Sequence, residues 1–173
     1  MAEKTQAPEK SWKAPLGIVL DVIVRDGKIL LLKRKGEVFR GLWGFPGGKI
    51  EFGEGLKEAA LREALEETGV ECEFVALRGV ASEIVKPENP DAPEQDKHFL
   101  LFICSLKPKS LATSHSVEGE IEWFDLDKLP EKMVPSDKLL VTEFTGESKH
   151  VVPSHSIFLR QSGQDYFIES FHG

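Results

Sequence analysis

Two apolar runs open the patterned part of the chain. Residues 16–24, LGIVLDVIV, and 28–35, KILLLKRK, are rich in Val, Ile and Leu, and Asp26-Gly27 separates them. Because Asp-Gly between apolar runs favours a tight turn, the pattern predicts a β-hairpin. The glycine-rich segment 36–48 predicts a loop that ends in an extended piece, since Pro46 pushes the residue before it away from helical angles.

The next segment changes its hydrophobic period from two residues to about 3.6. Residues 56–68 predict a helix, and Gly69 is a typical C-terminal cap because glycine accepts left-handed backbone angles. At about 100° per residue, the apolar residues fall on one side of the helix, which is predicted to pack on a sheet. They are Ala60, Leu61, Ala64, Leu65 and Thr68.

Further segments carry strand patterns on both sides of this helix. Residues 71–85 predict one strand or two short ones, and residues 97–108 and 120–126 predict one strand each. Residues 127–144 predict short helices, and 156–171 predict a hairpin with SGQD as its turn. This order favours an α/β fold in which helices cover the faces of a mixed sheet.

The chain divides into an arm, a domain and an extension. Residues 1–15 are polar and contain proline, so they are predicted to be a flexible N-terminal arm. Residues 16–140 form the predicted main domain, with a polar, Pro-rich loop at 86–96. Residues 141–173 form a C-terminal extension, whose hairpin is predicted to pack on the domain or on a second subunit.

Composition narrows the function before any motif is considered. The chain of 173 residues is 40% hydrophobic and 29% charged, with a net charge of -7, which is ordinary for a soluble globular protein. This acidic balance argues against a nucleic-acid groove, which needs clustered Lys and Arg, but it is compatible with a nucleotide bound through metal ions.

Targeting patterns and cysteines also carry information. The longest apolar run, residues 16–24, is too short to span a bilayer and contains Asp21, so no membrane partner is expected. No signal-peptide pattern opens the chain, and a cytoplasmic location is therefore expected. In that compartment Cys72 and Cys104 are predicted to be free buried thiols.

Glu63, Glu66 and Glu67 occupy one arc of the predicted helix. Like charges three or four positions apart repel, and the last two also lie near the helix C-terminus, where the dipole disfavours negative charge. Charges are placed this unfavourably for helix stability mainly where the function of the protein requires the residue. The helix alone leaves two explanations open: a solvated acidic face, or a site for hard divalent cations such as Mg²⁺, which bind carboxylate and carbonyl oxygens.

The spacing of the whole segment decides between them. Read from Gly48, it fits the pattern G-x5-E-x7-R-E-U-x-E-E-x-G-U, in which U is an apolar residue. Every fixed position is filled, and a chance match in this chain has odds on the order of one in ten million. The sequence therefore resembles the Nudix hydrolases over most of residues 16–130. The fixed positions are Gly48, Glu54, Arg62, Glu63, Glu66, Glu67 and Gly69, and the apolar ones are Ala64 and Val70.

The resemblance implies an α/β/α sandwich with a mixed β-sheet. It also implies hydrolysis of a nucleoside diphosphate linked to another group, with Mg²⁺ or Mn²⁺ and more than one ion per site. Carried over by position, Glu63, Glu66 and Glu67 would be metal ligands together with the carbonyl of Gly47. Glu63 and Glu66 are also catalytic candidates, and Glu66 is either a further ligand or the general base.

Four other motif residues are expected to support this site. The resemblance implies that Glu54 pairs with Arg62 and holds the loop against the helix, and that Gly48 and Gly69 shape the backbone around it. A glycine at position 48 lets the chain approach a metal closely. The alternative for Arg62 is an exposed ion pair with a glutamate one turn away.

Candidates outside the motif are less specific. In many relatives a second acidic loop supplies the base or an extra metal ligand, and Glu120 is the first candidate for that catalytic role here. Glu118 is the second candidate and also a possible substrate contact. Arg34 and Arg40 are candidate substrate contacts because arginine can bind phosphate in a bidentate manner. For all four, surface charge is the alternative.

The aromatic residues have two readings each. Trp43 either stacks on a base or anchors its loop in the core, and the core is favoured. Phe99 and Phe102 lie on opposite faces of one predicted strand, so at least one of them is predicted to pack in the core.

Several functions fit the resemblance. The leading one is metal-dependent hydrolysis of a small nucleotide derivative, with ADP-ribose or a nucleotide sugar slightly favoured over normal or oxidised (deoxy)nucleoside triphosphates. A non-catalytic nucleotide-sensing module is a second class, disfavoured because every motif glutamate is present. Trimming of RNA 5′ ends is disfavoured by the acidic balance. A nucleotide is the expected partner, and a homodimer is possible because many relatives are dimers.

Overall fold

The computed structural model describes residues 14–89, 96–110, 119–145 and 154–172. Most of the predicted N-terminal arm, part of the Pro-rich loop and the candidate Glu118 lie outside these ranges. The elements are β1 Leu16–Arg25, β2 Lys28–Arg34, β3 Trp43–Gly44, α1 Leu56–Thr68, β4 Cys72–Lys86, β5 Lys97–Pro108, β6 Gly119–Asp125, α2 Pro135–Phe144, β7 Ser154–Ser162 and β8 Asp165–His172.

The two predicted hairpins are present. β1 and β2 pair in antiparallel fashion around Asp26 and Gly27, whose φ angles of 51° and 75° are those of a primed turn. The C-terminal hairpin joins β7 to β8 through Gly163, whose φ of 62° explains why a glycine is needed there. Both turns therefore follow from local sequence.

The strands form one mixed sheet in the order β3-β2-β1-β5-β4-β7-β8, and β6 also pairs with β2. β1–β5 and β4–β7 are parallel pairs, whereas β4–β5 is antiparallel. The two parallel pairs need crossover connections, and α1 lies within the crossover from β1 to β5. The predicted mixed sheet with helices on its faces is confirmed.

A separate hydrophobic core fills each side of the sheet. On one side Ala59, Ala60 and Ala64 of α1 pack among alternate strand residues such as Val19 and Ile23. On the other side, residues around α2 pack among the intervening positions of the same strands. Because strand side chains alternate between faces, neighbouring residues of β1 face different cores.

The packing face of α1 differs in part from the predicted face. Ala60, Ala64 and Thr68 are buried as predicted, and Leu61 is partly buried, but Leu65 is 49% exposed. The buried side instead includes Ala59 and Glu67. The helix rests on the sheet through its small residues, which allow close approach, so the bulky Leu65 turns toward solvent.

Two further elements differ from their sequence patterns. The segment after α1 is one long strand, β4, whose pairing with β5 shifts register at Phe74/Ala76 and at Leu77/Gly79. Within the described residues, 127–144 contain the single helix α2, preceded by an irregular stretch that bridges Met133 to Trp43. α2 also runs through position 140, where the sequence placed the domain boundary.

Cys72 and Cys104 are free thiols, as predicted. Cys104 is buried, whereas Cys72 is only partly buried. Burial raises the pKa of each thiol to about 12, so neither is a reactive thiolate at neutral pH. In the part of the chain that the structure describes, no helix is long and apolar enough to cross a membrane.

Candidate active site

The loop before α1 is fixed to the start of β1 by backbone hydrogen bonds. The N–H of Val19 donates to the carbonyl of Gly48 at 2.9 Å, and the N–H of Asp21 donates to the carbonyl of Pro46 at 2.8 Å. Gly47 lies between these bonds with φ at 138°, and a Cβ there would come within 2.1 Å of the Val19 carbonyl oxygen. Only glycine fits this position, and its carbonyl takes no part in the pairing with β1.

Glu67 is the motif glutamate most deeply placed in the fold. It is only 6% exposed, and its Oε2 accepts a hydrogen bond of 2.7 Å from the N–H of Gly47. In projection along the helix it lies between Glu63 and the buried Ala60, so its position on the sheet-facing side is set by helix geometry. The contact joins the last turn of α1 to the glycine loop.

Glu63 lies against the neighbouring glycine of the same loop. A Cβ on Gly48 would stand within 2.6 Å of each carboxylate oxygen of Glu63, so the missing side chain makes room for this carboxylate. The Glu63 side chain is 12% exposed, and burial raises its pKa against the opposing effect of Arg62. Glu63 and Glu67 therefore meet the Gly47–Gly48 backbone side by side.

Arg62 and Glu54 form the bidentate ion pair that the resemblance to the Nudix hydrolases implies. Arg62 Nε and Nη2 donate to the two carboxylate oxygens of Glu54 at 2.8 and 2.9 Å. A bidentate pair of this kind fixes both partners in orientation as well as distance. The hydrogen bonds from Arg62 lower the pKa of Glu54 to about 2, so this carboxylate is ionised at neutral pH.

The same guanidinium connects to the rest of the motif. Arg62 Nη1 donates to Glu63 at 2.7 Å and to Glu66 at 3.2 Å, and Nη2 donates to the carbonyl of Lys49 at 3.0 Å. Glu66 stands at the rim, with its side chain 61% exposed. Arg62 thus offsets the repulsion between the clustered carboxylates and holds the loop to the helix.

Asp21 lies beneath this group and was not singled out as a site residue by sequence reasoning. It is fully buried in β1, and neither of its carboxylate oxygens has a hydrogen-bond partner among the described residues. Burial, followed by the nearby carboxylates of Glu67 and Glu63, raises its pKa well above the ordinary value. The available signal was a charged residue in the middle of an apolar strand.

A cavity of about 540 Å³ opens beside these residues. One part of its wall is polar and consists of the glycine loop and α1, including Glu63, Glu66 and Glu67. The other part is formed by apolar side chains of β1, β5 and the loop after β2, together with Glu83, Asp137 and Arg34. The volume lies in the range of small-molecule sites.

Comparison with known protein families identifies the family to which the chain belongs. The NUDIX domain family matches residues 15–144, which is most of the chain and includes the loop, α1 and the cavity walls. The chain belongs to the Nudix hydrolase family. This Nudix domain is accordingly an enzyme that cleaves pyrophosphate bonds, as the sequence motif indicates.

Relatives of this Nudix hydrolase are described with different substrates. It is 35% identical over 127 residues to an ADP-ribose pyrophosphatase of Methanocaldococcus jannaschii, covering 73% of this chain and 71% of the relative. It is 33% identical over 135 residues to a putative 8-oxo-dGTP diphosphatase of Bacillus subtilis, covering 78% and 83%. The relatives therefore support the reaction class and leave the substrate open.

The fold is also shared with solved Nudix structures. The crystal structure of a MutT protein from Bacillus halodurans superposes with a TM-score of 0.65 at 24% identity, covering 91% of this chain and 96% of that one. At this identity the likeness concerns the fold. It confirms the α/β/α sandwich predicted from the motif.

Nudix hydrolases generally use divalent metal ions, and the donor set of this Nudix domain fits such ions. The carboxylates of Glu63 and Glu67 and the carbonyl of Gly47 are hard oxygen donors, which suit Mg²⁺ and Mn²⁺. No three acidic, His or Cys side chains of the described residues already form a closed metal cluster. Arg62 and the Gly47 N–H hold the carboxylates instead, so binding an ion requires exchange of these contacts.

The structure places two other candidates of this Nudix hydrolase away from the cavity. The side chain of Glu120 is 67% exposed, and its carboxylate pairs with the Lys33 ammonium group at 3.2 Å. The antiparallel pairing of β6 with β2 places these two residues opposite each other. The Nε of Arg40 donates a hydrogen bond to the carbonyl of Gly36, and its side chain borders two smaller surface pockets. Neither lines the cavity that contains the motif glutamates, and their proposed roles stay predictions.

Arg34 does line the cavity, but its guanidinium group already makes a hydrogen bond within the protein. Its Nη2 donates to the carbonyl of Phe45 at 2.8 Å, close to the buried Asp137. Asp137 accepts a hydrogen bond of 2.8 Å from the N–H of Phe45. The aromatic candidates also differ in position: Trp43 is partly buried and packs edge-on against Phe124 at the border of the core on the α2 side, whereas Phe99 borders the cavity.

Proposed function

We propose that this protein hydrolyses the pyrophosphate bond of a nucleoside diphosphate linked to another group, using Mg²⁺ or Mn²⁺ and more than one ion. The observation that carries the proposal is the convergence of Glu63 and Glu67 on the Gly47–Gly48 backbone at the polar side of the cavity. Acid side chains and the carbonyl of Gly47 meet there, next to a volume that suits a nucleotide.

The residues have distinct roles in this reaction. Glu63, Glu67 and the carbonyl of Gly47 hold the ions, and Glu66, at the exposed rim, is either a further ligand or the base that takes a proton from water. When bound, divalent ions neutralise the diphosphate charge and lower the pKa of water. Arg62 and Glu54 fix the loop, so that the carbonyl and the carboxylates keep their relative positions.

The favoured substrates are ADP-ribose and related nucleotide sugars, as the lead-in to the motif and the archaeal relative suggest. Nucleoside triphosphates, normal or oxidised, are the second candidates, supported by the relative described as a putative 8-oxo-dGTP diphosphatase. A homodimer and a cytoplasmic location stay predictions. Measurement of the molar mass in solution and of the distribution in cells would test them.

The central test compares two glutamates of one helix. Glu67→Gln keeps shape but removes a charge from the polar wall, so we expect turnover to fall by about a hundredfold or more. Glu58→Gln, on the exposed first turn of α1, is the matched control and is expected to keep wild-type turnover. Hydrolysis is measured on ADP-ribose, nucleotide sugars and normal and oxidised triphosphates, with Mg²⁺, with Mn²⁺ and with EDTA.

A second readout does not depend on turnover. Ions that bind only the folded protein raise its melting temperature, and this rise is expected in the wild type and in Glu58→Gln but reduced in Glu67→Gln. Full turnover of Glu67→Gln, or turnover in EDTA, would contradict the assigned roles. A wild type that binds these ions and splits none of the substrates would indicate the sensing module instead.

A further inference from the structure

Glu83 is an acidic residue in the middle of a buried strand. It lies in β4 between the core positions Ala81 and Val85, opposite Phe99 of β5 and Ile157 of β7, and it is only 3% exposed. Glutamate is rarely buried without a partner. The proposed hydrolysis assigns no task to this side chain.

The hydrogen-bonding capacity of Glu83 is not used up within the described residues. Ser136 lies close by, yet neither Glu83 Oε1 nor Ser136 Oγ makes a hydrogen bond of acceptable geometry. Buried polar atoms without partners are uncommon in folded proteins and point to a ligand or a catalytic role. Burial raises the pKa of Glu83 to about 7, so a large share of the side chain is protonated at neutral pH.

Its two charged neighbours are already engaged. Arg34 donates a hydrogen bond of 2.8 Å to the carbonyl of Phe45, and Asp137 accepts one of 2.8 Å from the N–H of the same residue. A Cβ on Gly44 would come within 2.6 Å of Asp137 Oδ2, so the chain leaves room for this carboxylate. Arg34 and Asp137 therefore lie at this end of the cavity with hydrogen bonds to Phe45, whereas Glu83 Oε1 has no hydrogen-bond partner among the described residues.

The surrounding walls are apolar. Phe39, Phe99, Leu101 and Val134 border the same cavity on the α2 side of the sheet, whereas Glu63 and Glu67 border it on the α1 side. The cavity thus has an ionic side and a mainly apolar side, and the second side also contains the buried carboxyl groups of Glu83 and Asp137 and the guanidinium of Arg34.

This second side fits a flat heterocycle better than any other part of a nucleotide. Apolar walls suit the faces of an aromatic ring, and a carboxyl group suits its edge. A protonated carboxyl group donates one hydrogen bond and accepts another, which matches the adjacent donors and acceptors on nucleobase edges. A phosphate is disfavoured here because the neighbouring Asp137, whose pKa burial raises to about 6, is still mostly ionised at neutral pH and repels anions.

We propose that Glu83 determines base specificity by hydrogen bonding to the edge of the substrate's nucleobase, while the phosphates lie at the Glu63–Glu67 side. The proposal rests on the proposed function, because it places the base relative to the site of hydrolysis. Glu83 is a specificity residue in this scheme and takes no part in breaking the P–O bond.

The experiment compares substrates that differ only in their base. KM and kcat are measured for the four ribonucleoside triphosphates and for ADP-, GDP- and UDP-linked sugars, on the wild type, Glu83→Leu, Glu83→Gln and Glu73→Gln. Glu73 lies in the same strand but is exposed and outside the cavity, so its variant is the matched control. Thermal unfolding confirms that each variant is folded.

The expected result is a change in KM rather than in kcat. Glu83→Leu raises KM for the preferred base at least about tenfold and flattens the ranking of bases, since a site that loses its hydrogen bond loses discrimination. Glu83→Gln keeps one donor and one acceptor, so it keeps the ranking with KM within about threefold. Glu73→Gln behaves as the wild type.

Binding of nucleoside monophosphates in EDTA, followed by thermal shift, separates this proposal from the proposed function. Base-selective binding that Glu83→Leu abolishes supports the role of Glu83 even if no substrate is split. Hydrolysis with an unchanged base ranking in Glu83→Leu overturns it and leaves the proposed function intact. A change confined to the ranking of the attached sugars also overturns it, because the sugar would then occupy this end.

Discussion

The hydroxyl of Tyr166 in the C-terminal hairpin accepts a hydrogen bond of 3.2 Å from the backbone N–H of Phe39. The two rings also contact each other, with centroids 4.6 Å apart. Phe39 borders the cavity and has a φ of 59°, an angle that non-glycine residues rarely adopt. The hairpin therefore holds a strained loop of the cavity wall from more than a hundred residues away in sequence.

Tyr166→Phe should remove this hydrogen bond and leave the ring contact. The buried N–H of Phe39 then lacks its partner, so we expect a loss of about 1–2 kcal/mol in the free energy of unfolding, measured with urea. KM should rise several-fold with little change in kcat, because the loop borders the substrate volume. Phe167→Tyr, at an exposed neighbouring position, is the control and should change neither quantity.

Gly47 and Gly48 should respond differently to an added methyl group. In Gly47→Ala the new Cβ meets backbone and the φ of 138° becomes strained, so we expect a loss of more than about 2 kcal/mol in stability. In Gly48→Ala the three atoms nearest to the new Cβ belong to the Glu63 carboxylate, which can move. That variant should remain folded and lose most of its turnover.

Thermal unfolding and steady-state kinetics on both glycine variants test this contrast. A stable Gly47→Ala variant would contradict the close approach of the loop to β1. Wild-type turnover in Gly48→Ala would contradict a requirement for Glu63 at its present position.

The fork between Arg62 and Glu54 gives a pH prediction. The folded-state pKa of Glu54 is lowered to about 2 from its ordinary value of 4.5, so its stabilising effect is fully present above pH 4.5 and is lost as the pH falls toward 2. The stability difference between the wild type and Glu54→Gln should therefore be constant near neutral pH and shrink across this acid range.

Urea unfolding at a series of pH values measures that difference. Glu58→Gln, on the same helix and exposed, is the control variant for this comparison. A difference between the wild type and Glu54→Gln that stays constant down to pH 2 would count against the ion pair.

The raised pKa of Asp21 predicts that stability depends on pH in the opposite direction. Its folded-state pKa is raised well above the ordinary value by burial and by Glu67 and Glu63, so it favours folding most at acid pH and progressively less as the pH rises through the folded-state value. Asp21→Asn keeps the shape without the ionisable group. In EDTA it should be more stable than the wild type at pH 7, and this gain should disappear near pH 3.

The sequence determined the features that depend on local spacing. The Asp-Gly turn, the helix with its glycine cap and the motif from Gly48 to Val70 are each set by residues a few positions apart, and the structure has all of them. The contact of Arg62 with Glu54 was implied by the resemblance of the motif to the family, and the structure contains it.

Tertiary structure decided which residues surround the cavity, because that depends on pairing between strands distant in sequence. The register of β6 on β2 turned Glu120 toward Lys33, and the packing of α1 through alanines exposed Leu65 and buried Glu67. Glu83 and Asp137 read as ordinary acids in a strand and a helix. Only the pairing of β4 with β5 and the packing of α2 on the sheet bring them together in a buried wall, since hydrophobic period predicts which face is buried and not what it meets.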